Sequence, residues 1–231
     1  MSGEQLFINR PLPGAQINQS HPLAKGLVGC WLMNEQAGIR CIDSSPYGNH
    51  GTMVGFGVPA NSRSSQGIKF DGVDDCIDIA NQALFNFYGG SCSVWVKSND
   101  YIGSHIIVRT PQYVLFSSGM SFNVFASSVS QGWHGAGSKS DSIDLSVWDN
   151  FVYSYNSTNN LTIICKNGVL IYSSYIITTG NLSMVDTVFT VGREGSNYWN
   201  GSINDMRIYS RALNKDEIKE LYLNPYAMFM R

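Results

Sequence analysis

Positive charge is scarce in this chain. Its 15 Lys plus Arg stand against 17 Asp plus Glu, a formal charge of −2 over 231 residues, and no basic cluster occurs. Binding a phosphate backbone needs concentrated positive charge, so the balance argues against a nucleic-acid partner. Long apolar runs are missing too, and no stretch could span a bilayer. The N-terminus, MSGEQLFINRPLPG, has neither the charged start nor the apolar run of a secretory signal. The expectation is a protein made in the cytoplasm without a signal peptide, a signal already removed being the alternative. The five cysteines (Cys30, Cys41, Cys76, Cys92, Cys165) show no metal-ligand spacing. An odd count of this kind favours buried free thiols over a disulfide framework. The four histidines, His21, His50, His105 and His134, form no H-x-x-x-H pair. No serine sits in a G-x-S-x-G elbow, and the glycine-rich run from Gly132 to Gly137 lacks the Lys-Ser/Thr of a phosphate loop. Internal repeats are absent.

What is present points to strands. Hydrophobic residues make up 43% of the chain, enough for one well-buried domain, and 23 glycines punctuate it. Residues 1–24 contain Pro11, Pro13 and Pro22 and no periodicity, so they read as an extended arm. Residues 25–224 read as one domain, and 225–231 as an apolar tail that folds back on the sandwich or buries into another subunit, a partner or neighbour contact being the favoured reading. Strands are predicted at 26–34, 68–70, 76–79, 91–98, 105–109, 112–117, 121–126, 150–155, 161–166, 169–174, 187–192 and 202–209. Within 91–98, Trp95 breaks the alternation of Cys92, Val94 and Val96, as a strand covered on both faces would. Residues 43–57 and the Gly/Ser stretch around Trp133 read as loops. Asn167-Gly168 is the strongest hairpin signal, because Asn-Gly readily takes the positive φ angles of a type I′ turn. Asn214 and Glu217 have the spacing of a helix capping box, and Pro225 ends the helix.

Three segments carry a family resemblance. The first is Gly201, Ile203, Arg207, Ile208, Tyr209, Arg211, Ala212, Leu213, Glu217 and Ile218, with Asn204 and Met206 departing from the pattern. The second is Gly67-Ile68-Lys69-Phe70-Asp71-Gly72-Val73-Asp74-Asp75-Cys76-Ile77-Asp78-Ile79. The third runs from Gly26 to Glu35 and on through Asp43-Ser44-Ser45 and Gly48-Asn49-His50-Gly51-Thr52. In family order they resemble the laminin-G-like, concanavalin A-like jelly-roll domains. The resemblance implies an all-β fold: a two-sheet antiparallel jelly-roll sandwich with one short C-terminal helix. The stretches INQSHPLAKGLVGCWLMNE and LYLNPYAMF are similar to those of laminin-G-like proteins of tailed bacteriophages, which would place the chain on a virion.

Calcium-binding relatives take ligands from the turn after F-x-G and from a loop before the final strand. The matching positions are Asp74, Asp75 and Glu194, although no second carboxylate follows Glu194. A second reading is open: Asp71 and Asp75 bond backbone amides and shape the turn. Hydrolases of this fold carry E-x-D-x-x-E or a close variant, and no such run occurs here, so the expectation is a protein without catalysis. Aromatic rings on loops suit a sugar's apolar face, with Asn or Asp oxygens taking its hydroxyls. Trp133, Tyr198, Trp199 and Tyr47 are the candidates; Tyr198 and Trp199 are also readable as caps on the end of the core, and for Trp199 that is the favoured reading. The resulting expectation is a glycan-binding adhesion module. The alternative is a structural decoration protein held on an assembly by its arm and tail.

Overall fold

Alternation reads poorly in this chain because its central strands are buried on both faces. A computed structural model describes residues 10–58, 63–64, 66–79, 85, 89–100, 104–110, 113–128, 132–139, 142–175 and 189–230. Among these the strands are β1 (Leu27–Trp31), β2 (Arg40–Cys41), β3 (Gly51–Val54), β4 (Arg63–Ser64), β5 (Gly67–Asp71), β6 (Cys76–Ile79), β7 (Gly90–Ser98), β8 (Ser104–Arg109), β9 (Tyr113–Ser118), β10 (Ser121–Ser128), β11 (Gly132–Lys139), β12 (Asp149–Asn156), β13 (Leu161–Lys166), β14 (Val169–Tyr175), β15 (Thr190–Val191), β16 (Arg193–Glu194), β17 (Asn197–Tyr198) and β18 (Asn200–Tyr209). Helix α1 spans Lys215–Leu223.

Sheet one runs β14-β13-β12-β7-β18-β5-β4, with β1 and β5 on successive halves of one edge of β18. Sheet two runs β11-β10-β9-β8-β15-β6-β3-β2, and β16-β17 is a separate hairpin. All pairings within the sheets are antiparallel. The main core lies between the two sheets. Phe70, Val94, Val96 and Phe151 of sheet one meet Ile77, Val108, Leu115 and Phe122 of sheet two, and Phe122 stacks on Phe151 at 4.2 Å. This is the expected two-sheet sandwich.

A second core covers the outer face of sheet one, which is why β7, β12 and β18 are buried along nearly their whole length. The N-terminal segment, α1 and the C-terminal segment supply it. Asn214 accepts the Asp216 and Glu217 amides at 2.9 Å each, and Glu217 accepts the Asn214 amide at 3.0 Å, the predicted capping box. Arg211 adds two bonds to the Glu217 carboxylate, at 2.7 and 2.9 Å. Ile218 and Leu221 face inward, while Tyr222 stacks on Trp95 at 5.6 Å. Of the two readings of the tail, the fold-back onto its own sandwich is realised, and not the favoured contact with a neighbour. Met228 and Phe229 are buried, Phe229 bridges Ile17, and Asn18 donates to the Met228 carbonyl at 2.8 Å. Burying those two side chains removes apolar surface from water without a partner.

Asp205 and Arg207 form a charged pair inside this second core. Asp205 holds a positive φ of 40° at a bulge of β18, and Arg207 bonds both its oxygens at 2.7 Å. Arg207 also donates to the Pro225 carbonyl, tying the tail to the sheet. Burial is the strongest single influence and opposes its charge, but Asp205, Cys30 and Tyr209 together outweigh it and keep the guanidinium charged.

Two readings need correction. The Gly/Ser stretch around Trp133 is not a loop but part of β11, whose backbone pairs with β10 from Gly132 to Lys139. Residues 43–57 are not all loop either, since β3 lies within them. In both, neighbouring strands supply ladder bonds that local preference does not foretell.

Candidate functional site

Both sheets end at a rim where β5 turns into β6. Gly72, with φ 81°, starts the turn, and the carboxylates of Asp71, Asp74 and Asp75 converge there, their oxygens within 4.8 Å of one another. Asp71 and Asp74 are exposed and Asp75 is buried. Asp75 accepts the Asp71 amide at 3.0 Å, and Asp71 accepts the Val73 amide at 2.8 Å. The turn-shaping reading of these carboxylates is therefore realised. Burial pushes the Asp75 carboxyl up to about 6; Asp71 and Asp74 add to the rise and the Asp71 amide opposes it. Three carboxylates suit a hard cation by chemistry, yet calcium takes six to eight oxygens. Glu194 does not join the group, because its carboxylate pairs with Arg109 at 3.2 Å.

The β16–β17 hairpin stands at the same rim. Its base is closed by the Trp199 amide donating to the Gly192 carbonyl at 2.8 Å, and Gly192 takes φ 86° against the Phe70 ring, where a Cβ would lie 2.6 Å away. Arg193 reaches Asp78 at 3.5 Å, and Glu194 reaches Arg109. His105 on β8 lies beneath, with Nδ1 at 2.7 Å from the Tyr198 carbonyl and Nε2 at 2.9 Å from Asp100. Asn200 donates to the other Asp100 oxygen, and Asn99 donates to Asn200 at 3.1 Å. The rim thus gathers amides and carboxylates beneath a hairpin that carries the half-buried Tyr198 next to the exposed Gly195, Ser196 and Asn197.

The family model described as the concanavalin A-like lectin/glucanases superfamily matches residues 71–219, well over half of the chain. The chain belongs to that superfamily. This lectin/glucanase-superfamily domain is similar in fold to the receptor-binding domain of botulinum neurotoxin C/D mosaic serotype, with TM-score 0.68 at 15% identity over 87% of this chain and 52% of that one. The type G receptor-binding domain gives 0.61 at 17%, over 86% of this chain and 51% of that one. The serotype D ligand-binding domain in complex with N-acetylneuraminic acid gives 0.64 at 15%, over 91% and 52%. The domain spans about half the length of each. No curated protein sequence matches it.

The candidate aromatics fall at opposite ends of the lectin/glucanase-superfamily sandwich. Tyr198 and Trp199 are at the β5–β6 rim, but Trp199 is fully buried in the main core, so it offers no face to a sugar. Neighbouring residues of an extended segment point to opposite sides, and Trp199 takes the inner one. Tyr47 is 49% exposed at the far end. Its loop is held by Asp43, which accepts the Cys30, Ser45 and Asn49 amides at 2.8 Å each. Strand register places Trp133 at that far end as well, opposite Ser127; its side chain lies outside the described residues. The sequence reading passed over His105 as one scattered histidine. Its carbonyl partner lies 93 residues away, so no local pattern could expose it.

Proposed function

We propose that this domain is a carbohydrate-binding module without catalysis, and that its ligand meets the β5–β6 rim. The observation that carries this is the half-buried Tyr198, which follows Asn197 on a hairpin whose main chain meets His105, beside the hydrogen-bonded group Asn99, Asn200 and Asp100. A phenol ring beside amide and carboxylate oxygens has the chemistry a sugar requires, one apolar face and several hydroxyl partners. N-acetylneuraminic acid in one structural neighbour supports testing sialylated glycans first. Against hydrolysis stands the engagement of the rim carboxylates: Asp71 and Asp75 hold the turn, Asp78 and Glu194 pair with arginines, and Asp100 faces His105. A glycosidase needs one free acid and one free base across the bond. The calcium expected from the resemblance would be held by Asp71, Asp74 and Asp75 in place of Asp74, Asp75 and Glu194.

A glycan array with sialylated and neutral members tests the reading. Tyr198→Ala is expected to weaken binding at least about tenfold, the weight of one stacked ring, without lowering the melting temperature. Tyr47→Ala leaves binding unchanged. An array with no bound glycan, or reducing sugar released from a polysaccharide, overturns the proposal. Calorimetry with calcium and then chelator tests the cation separately.

A further inference from the structure

We propose that the cleft between the β12–β13 ladder and the turn into α1 is a second binding site, one that takes a small amphiphile by its apolar body and holds an anionic head on Lys215. Register builds the floor. Ser154 of β12 lies opposite Ile163 of β13, and Asn156 opposite Leu161, so these four side chains share the outer face of sheet one. Ala212, Leu213, Asn214 and Lys215 form the wall. That wall is fixed in place. Ser154 Oγ donates to the Leu213 carbonyl and accepts the Leu213 amide, each at 3.0 Å, and Arg211 and the Asn214 cap hold Glu217 in the first turn of α1. The cleft, about 210 Å³, is thus pre-formed.

The lining decides what fits. Leu161, Ile163, Ala212 and Leu213 make it chiefly apolar. Its neutral polar side chains already have partners: Asn156 accepts the Thr158 amide at 2.9 Å, Asn214 caps α1, and Ser154 is bonded to Leu213. Lys215 is the one charged residue among the described residues of the lining, exposed and with no ion pair among them. Of the nearby acids, Glu217 is bound to Arg211 and Asp216 lies outside the lining. A cation at the mouth of an apolar cleft complements a hydrocarbon body with a carboxylate end. Since an apolar cavity of about 150 Å³ takes benzene, this one takes a body of roughly six to eight carbons. Strand β18 runs from Asn200 at the rim to Tyr209 at the far end, beside the turn into α1. The cleft is therefore remote from the β5–β6 rim and does not rest on the carbohydrate reading.

The experiment titrates the full chain near neutral pH with hexanoate and with hexanol, which share a hydrocarbon body and differ in the head, and follows backbone amide shifts by NMR. Both are expected to move the amides of Leu161, Ile163 and Leu213. Hexanoate should bind roughly threefold to fivefold tighter, the weight of one exposed ion pair. Lys215→Gln, at an exposed position, removes that preference and leaves hexanol binding unchanged. Ala212→Leu fills the cleft and weakens both compounds at least about tenfold. Tyr198→Ala leaves both titrations as they are. The proposal is overturned if neither compound binds, if the two bind the wild type equally, if the preference survives Lys215→Gln, or if the shifts ignore Ala212→Leu. Should Ala212→Leu fail to fold, the shift map and the Lys215→Gln comparison decide by themselves.

Discussion

Asp75 shows how one buried carboxyl leaves a measurable mark. Its folded value of about 6 lies above the ordinary 3.8, chiefly because burial penalises the charge. Between those values the native state holds a proton that the unfolded chain has lost. Stability therefore falls as pH rises from about 4 to about 6 and levels off above. Thermal melts in chelator should show that decline. Asp75→Asn keeps an oxygen for the Asp71 amide but has no charge to bury, so it should flatten the curve and gain ~1–2 kcal/mol at pH 7.5. A wild-type curve without the decline would refute the burial account. The same scale shows what the sequence could not tell. Tyr198 and Trp199 are adjacent aromatics with identical local context, yet one lines the rim and the other fills the core. Only the pairing of the strands on either side decides which way each ring points.

At the scale of elements, legibility follows how local the stabilising contacts are. The Asn167-Gly168 turn and the Asn214–Glu217 cap were readable because their bonds close within a few residues. Strand β11 was not, since its Gly-rich run is a poor strand former and its ladder comes from β10. The tightest local device also makes the clearest prediction. Gly168 takes φ 75°, and a Cβ there would lie 3.2 Å from the Tyr222 side chain, itself stacked on Trp95. Gly168→Ala adds left-handed strain to a crowded contact between the β13–β14 hairpin and α1. The expected cost is about 1–2 kcal/mol in chemical denaturation. An unchanged midpoint would mean that this hairpin tip contributes nothing to holding the helix.

For the molecule as a whole, the resemblance made the sandwich legible, while the second core stayed hidden because it joins segments from both ends of the chain. Ile17, Leu23, Ile218, Met228 and Phe229 meet on the outer face of sheet one, where Pro225 also accepts from the buried Arg207. Removing residues 225–231 would uncover that face and take away a carbonyl from a buried cation. Two buried side chains at ~1.5–3 kcal/mol each, with a charged hydrogen bond of ~1.5–3 kcal/mol in addition, put the loss at about 5–9 kcal/mol. That is a large share of the usual 5–15 kcal/mol of a domain. The truncated chain should melt far below the full one or expose enough apolar surface to bind a hydrophobic dye. Phe229→Ala should lie between them, since it keeps the Pro225 carbonyl in place. Were the tail instead a docking peg for another subunit, truncation would leave the isolated chain's melt unchanged and shift only its association. Melting and sedimentation of the three chains side by side separate the two.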